Sequence, residues 1–179
     1  MEKLLNHAMS DTEIKKFFNG KINILRYNEL QNYDNIFDVL GKYERCIILF
    51  ESKGTNHWVI IQVIRKPNKK PYILMTDSYG LVPCGEFNYI PKAFQKMSNQ
   101  DKNVLLKLLI NQPLQVHYNQ YRLQKLDKHI STCGKYCCVR GLYPDVDEDE
   151  FAKIVKGGIK DGISTDEMIC YLYEELKPK

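Results

Sequence analysis

HWVIIQVIRKPNKKPYILMTD, residues His57 to Asp77, is the stretch whose reading decides this chain. Two runs rich in β-branched and aromatic residues, His57 to Ile64 and Tyr72 to Asp77, flank Arg65 to Pro71, a segment of prolines, Asn68 and lysines. That composition predicts two strands joined by a turn as an antiparallel hairpin. Folding it about residues 67 to 68 sets His57 across from Asp77 within a residue or two. Directly opposed side chains share a face with Cβ atoms about 4.5–5.5 Å apart, so a carboxylate can hold an imidazole there. Turn symmetry alone sets this register, and a slip of one residue would send the two groups to opposite faces.

Working outward, Cys46 to Phe50 and Leu114 to Tyr118 also read as strands. The near-continuous hydrophobicity of several strands implies a sheet covered on both faces. Helices are signalled by capping boxes, in which a Ser oxygen and a Glu three residues on satisfy orphan amides. Ser10 to Glu13 opens one running to about Asn19, and Ser164 to Glu167 opens another whose Met168, Ile169, Leu172 and Leu176 form one apolar stripe. Asp147 to Val155 reads as a short helix, and Ser98 to Asp101 as a weaker start of one. The pattern is α+β, a central mixed and mainly antiparallel sheet flanked by helices.

The chain has 179 residues, 44% of them hydrophobic, with no repeat, low-complexity tract or linker, so residues 1–179 are expected to form one domain around one core. A net charge of +4 is mild. Its densest piece, Arg65, Lys66, Lys69 and Lys70, fits a solvated turn better than a nucleic-acid footprint, which would be a broader basic face. Residues 1–10 lack a secretory apolar core and no run approaches membrane-spanning length, so the expectation is a protein without membrane attachment, not secreted. Six cysteines are too sparse for a disulfide scaffold and are expected to be reduced.

Cys133 closes a polar segment and is followed by Gly134, Tyr136, Cys137, Cys138, Val139 and Leu142, a loop running into a helix. A thiol in the first turn of a helix meets unpaired N–H groups and the positive end of the macrodipole, both of which favour thiolate. An imidazole beside it can take the thiol proton and later deliver it to a leaving amine, while a carboxylate orients the ring. His57 and Asp77 fit these roles as a catalytic set with Cys133. The oxyanion then needs donors, for which the Cys133 N–H and the Gln124 amide are candidates. Each residue also has an ordinary reading, a packed Cys or a half-exposed His at a strand start; the ordered set carries the inference. His129, Cys133 and Cys137 share helical spacing that could face a metal, but no second ligand pair accompanies them, so no metal site is expected. Cys46, Cys137, Cys138 and Cys170 read as buried small hydrophobes.

Asn56-His-Trp58, Asp77-Ser-Tyr-Gly80, and Gln124 followed by Thr132-Cys-Gly-Lys-Tyr-Cys-Cys138 resemble the adenain-like cysteine proteases. That family includes maturation proteases of adenoviruses, large DNA viruses and virophages and, more distantly, the proteases of SUMO and other ubiquitin-like proteins. The likeness covers roughly residues 45 to 142, with a weaker echo around Ile14 to Phe18. It implies a helix headed by the nucleophile packed on a central sheet that carries the His and the acid. It also implies that Trp58 walls a narrow channel for glycine-like residues, beside its ordinary reading as a core aromatic on the face opposite His57. Gln124 stands nine positions before Cys133, farther than in the best-known members, which leaves Asn119 and Gln120 open as amide donors.

The compact size and the Cys133 to Cys138 run look more like the viral maturation branch. The implied function is a cysteine endopeptidase cleaving capsid or core precursor proteins at Gly-Gly-X or Gly-X-Gly sites, acting in the virion and the host cytoplasm. A deSUMOylating or deubiquitinating isopeptidase is the alternative, and a non-catalytic nucleic-acid-binding or scaffold module the third reading. The chemistry requires no cofactor; an activating peptide or DNA is left open, and a monomer is the default.

Overall fold

A computed structural model describes residues 1–54 and 56–178. The hairpin lies at the centre of a five-stranded sheet ordered β1-β2-β3-β4-β5: Asn23–Arg26, Arg45–Phe50, His57–Ile64, Tyr72–Thr76 and Gln115–Tyr118. The inner pairings, β2 with β3 and β3 with β4, are antiparallel. Each edge adds a parallel strand, β1 on β2 and β5 on β4, so the sheet is mixed with an antiparallel centre. Among the described residues eight α-helices accompany it: α1 (Glu2–Asn6), α2 (Asp11–Phe17), α3 (Ile36–Leu40), α4 (Lys92–Met97), α5 (Val104–Ile110), α6 (Cys133–Gly141), α7 (Glu148–Lys156) and α8 (Thr165–Leu176). The chain is therefore α+β.

The hairpin register pairs Ile64 with Tyr72 and Ile60 with Thr76. Continued by the same count, Val59 stands opposite Asp77 and His57 opposite Tyr79. His57 and Asp77 are thus diagonal neighbours, two residues out of direct opposition. Because side chains alternate with a period of two, that displacement keeps both on one face, where a displacement of one would have separated them. β4 itself ends at Thr76, so Asp77 begins the turn that follows rather than closing the strand.

Both faces of the sheet are covered, which explains the uninterrupted apolar runs. On one, Ile48, Phe50, Val59, Ile61, Ile73 and Met75 pack under Val39 of α3 and Leu105 and Leu109 of α5. On the other, Ile47, Leu49, Trp58 and Ile60 meet Cys133, Cys137 and Cys138 of α6 and Ile14 and Phe17 of α2. Each such fully buried side chain contributes about 1.5–3 kcal/mol relative to exposure. A third cluster, with Tyr136 and Val139 of α6 against Phe151, Val155 and Ile169, fixes the outer flank of α6 to α7 and α8. Among the described residues, no helix is long and apolar enough to cross a membrane.

Capping boxes at Ser10/Glu13 and Ser164/Glu167 open α2 and α8 as the residue spacing predicts, and a further box, Asp147/Glu150, opens α7. Ser98 to Asp101 does not start a helix. Ser98 closes α4 by donating its hydroxyl to the Phe94 carbonyl (2.8 Å), and Asn99 turns the chain left-handed at φ 54°. β1 has only Ile24 and Leu25 as apolar residues, too short a run to register as a strand. In the hairpin loop region, Arg65 pairs with Glu44, and Lys66 lies 2.6 Å from Asp147 and 2.7 Å from Glu150, so these two cations are matched by carboxylates.

Helix α6 lies so close to the sheet that its last residue has no room for a side chain. A Cβ at Gly141 would fall 2.7 Å from the Phe18 ring and 2.9 Å from Ile60 Cδ1. Gly141→Ala is therefore expected to destabilise the fold by about 1–3 kcal/mol through overpacking, read as a lower urea midpoint with an unchanged slope. An unaltered midpoint would mean that α6 can lift off the sheet at no cost.

Candidate active site

Cys133 is the first residue of α6 and is 8% exposed. The preceding turn is tied down because Thr132 donates its hydroxyl to Asp166 at the start of α8 (2.5 Å). Gly134 follows because a Cβ there would lie 2.9 Å from Met9 Cβ. Met9 belongs to a segment laid across the mouth of the helix. Ser131 donates to the Leu5 carbonyl (2.7 Å), Lys135 Nζ to that of His7 (2.8 Å) and Trp58 Nε1 to that of Met9 (2.9 Å).

The His57 ring is hydrogen-bonded to Asp77, and His57 and Cys133 act on one another electrostatically. Its Nε2 is 2.9 Å from Asp77 Oδ1, leaving Nδ1 as the ring nitrogen open to the thiol. Tyr79 stacks on the imidazole, centroids 4.7 Å apart and planes inclined by 22°, as the continued register predicts. Asp77 is fully buried. Its Oδ1 also accepts from the Tyr79 N–H (2.6 Å), and its backbone is clamped by Asn119, whose Oδ1 accepts from the Asp77 N–H (2.8 Å) while Nδ2 donates to the Asp77 carbonyl (2.6 Å). The turn closes at Gly80, φ 71°, where a Cβ would meet the Tyr121 carbonyl carbon at 2.6 Å. Only glycine fits there.

The electrostatics set Cys133 apart from the other cysteines. Burial alone would raise its thiol pKa, but the neighbouring His57 ring with its positive charge and the amides of Trp58 and Gly134 outweigh it and hold the value below the ordinary one. Burial likewise works against a charged His57, yet the hydrogen bonds and negative charges of Asp77 and Cys133 bring its pKa well above the usual imidazole range. The two shifts are complementary and favour a thiolate–imidazolium pair. In contrast, burial pushes up the thiols of Cys46, Cys84, Cys137 and Cys138, and that of Cys170 to about 11. No disulfide joins the described residues.

Gln124 lines the same cavity as Cys133, a space of ≈780 Å³ bounded also by Met9 and Trp58. Its Oε1 accepts from Ser78 Oγ (2.7 Å), which turns Nε2 toward Tyr79 Oη (3.2 Å) and the Ile130 carbonyl (3.3 Å). Those two contacts are long and can yield to a better acceptor. Asn119 has both polar atoms committed to the Asp77 and Tyr121 backbone, and Gln120 is exposed away from the cavity, so neither is free for an oxyanion. Trp58 is 6% exposed, packs on the face opposite His57 and lines the cavity that also holds Cys133. His129 is exposed in a turn before α6, not aligned with Cys133 and Cys137 on one helix. Among the described residues the group with metal-ligand geometry is His57, Asp77 and Glu86. Tyr79, the Met9 strap and the clamp that Asn119 puts on Asp77 escape sequence reading because each acts through tertiary contact; Tyr79 had one signal, its place in the Asp77 to Gly80 turn.

The pair has a direct consequence for pH dependence. Cys133 is expected to be alkylated by iodoacetamide well below the ordinary thiol range of about 8.5, and His57→Ala should move that reactivity to higher pH, because the stabilising proton on the ring is gone. An unchanged profile in the variant would disconnect ring and sulfur.

No protein-family model matches the chain. The central domain of an uncharacterized Legionella pneumophila protein aligns over 94% of this chain and 96% of its own at a TM-score of 0.41 and 14% identity, a likeness too slight to argue from. The uncharacterized protein V9 of Sputnik virophage is 36% identical over 149 residues, 83% of each protein. The chain belongs to the family of that virophage protein.

Proposed function

We propose that this protein is a cysteine endopeptidase of adenain-like architecture that cleaves virion precursor proteins after small residues. The observation that carries the reading is the approach of the His57 ring to a helix-heading Cys133, with the thiol drawn down and the imidazole drawn up. In the reaction the Cys133 thiolate attacks the scissile carbonyl carbon and forms a C–S bond. The negative charge moves to the carbonyl oxygen, where the Cys133 N–H and Gln124 Nε2 donate to it. His57 passes its proton to the leaving amine as the C–N bond breaks, leaving a thioester. It then takes a proton from water, whose oxygen attacks the thioester carbon; the C–S bond breaks and the acid product departs. Asp77 keeps Nε2 engaged and stabilises the charged ring throughout.

All groups in this sequence belong to the chain itself, and the reaction calls for no cofactor. Trp58, held by Met9, lines the cavity beside Cys133 as a bulky wall, which supports preference for glycine before the scissile bond. Kinship with a virophage protein supports a virion precursor as substrate over a cellular modifier.

Incubation with a Gly-Gly-X peptide beside fluorogenic SUMO and ubiquitin conjugates tests this reading. Cleavage of the peptide in preference to both conjugates is expected, and cleavage of a conjugate alone would make the protein an isopeptidase. Cys133→Ala should abolish turnover with the fold retained; persistent activity would move the nucleophile elsewhere. Gln124→Ala should lower kcat by about 10²-fold or more, and a negligible change would remove it from the oxyanion site.

A further inference from the structure

Behind Asp77 lies a second buried carboxyl group that the chemistry above does not use. Glu86 is 3% exposed, on the short turn Gly85–Asn88 after β4. That turn is anchored by Phe87, whose ring packs edge-on against Tyr27 (4.9 Å) and Phe50 (5.6 Å). It is entered through Cys84 at φ 66°, a left-handed residue that reverses the chain toward the sheet. Donor atoms of His57, Asp77 and Glu86 all lie within 4.8 Å of one another.

Hydrogen-bond accounting at this cluster is incomplete in a specific way. Asp77 Oδ1 receives His57 Nε2 and the Tyr79 N–H, but Asp77 Oδ2 is buried with no partner, and so are both carboxyl oxygens of Glu86. Leaving a buried acceptor unmatched costs about 1–3 kcal/mol, more when it is charged. Two adjacent carboxylates in a dry setting cannot both ionise without strong repulsion. A single proton between them removes both difficulties.

We propose that Glu86 and Asp77 share one proton, with the Glu86 hydroxyl donating to Asp77 Oδ2, and that Glu86 is thereby a positioning residue holding Asp77 against His57. Resting on the peptidase reading for its purpose, the arrangement leaves one negative charge on the carboxyl pair to face one imidazolium. The His57 ring and the Asp77 carboxyl face Glu86, with the Cys84 thiol on its own segment. Burial raises the Glu86 carboxyl well above the usual carboxylate range and the charge on Asp77 raises it further, while His57 opposes in part. Glu86 also borders a ≈390 Å³ cavity lined by Phe50, Ile90 and His57 together with the polar Asn56 and Arg122.

The test reads the proton without any substrate. An infrared difference spectrum of wild type against Glu86→Gln near neutral pH should contain the carbonyl stretch of a protonated carboxylic acid, shifted in deuterated buffer. Carboxylate bands in its place would overturn the proposal. Peptide cleavage by Glu86→Leu should fall at least about tenfold in kcat/KM, with Glu86→Gln recovering most of the loss because its amide still donates to Oδ2. Equal losses would reduce Glu86 to a packing role. Stoichiometric Zn²⁺ binding to the wild type, abolished in Glu86→Gln, would put a cation where the proton is proposed and overturn it as well. Should the acid band be present while wild type cleaves no peptide, the shared proton stands and the peptidase reading falls.

Discussion

Everything chemical in this molecule depends on one imidazole being gripped from two sides. His57 is the first residue of β3, Asp77 the first residue beyond β4, and Cys133 the first of α6. Three element ends therefore converge, each where side chains are no longer constrained by ladder or helix neighbours on one side. The parity of the β3–β4 ladder makes this convergence possible, since a single-residue slip would turn His57 away from the acid. The close seating of α6, enforced by Gly134 against Met9 and Gly141 against Phe18, brings the sulfur to the ring from the opposite face of the sheet.

Holding charges in such a place is costly unless each is matched. The molecule matches them with fixed dipoles and neutral donors more than with solvent. Asn119 continues the β4–β5 pairing by one residue through its side-chain amide, so Asp77 sits in a turn yet is held as firmly as a strand residue. Tyr79 supplies both an N–H to the carboxylate and a ring to the imidazole. The amides of Trp58 and Gly134 help hold the Cys133 thiol below its ordinary pKa. This concentration of matched polarity between two apolar clusters is what distinguishes the site from the rest of the sheet.

Much of this arrangement was legible in the sequence because it rests on local signals. Pro67, Asn68 and Pro71 mark the turn, β-branched runs mark the strands, and the Ser10 and Ser164 boxes mark helix starts with chemistry visible within four residues. The misreadings have physical causes. Ser98 carries the residue type that opens helices but its hydroxyl turns back to close α4, a choice that sequence spacing cannot reveal. Asn119 stood open as a substitute for Gln124, and only the tertiary structure shows its two polar atoms spent on the Asp77 and Tyr121 backbone. Glu86 gave no signal at all: a lone acid in Cys84-Gly-Glu-Phe87 reads as solvent-facing, and only the packing of Phe87 carries it beneath Asp77.

Cys133 is an activated nucleophile only if its thiol reacts unlike the other buried ones. A Gly-Gly vinyl ester probe, followed by peptide mass mapping, addresses that most directly, since the probe couples only to a thiolate positioned beside a substrate channel. A single adduct on Cys133, absent in His57→Ala, is the predicted result. An adduct spread over Cys84 and other cysteines, or none in the folded protein, would contradict it.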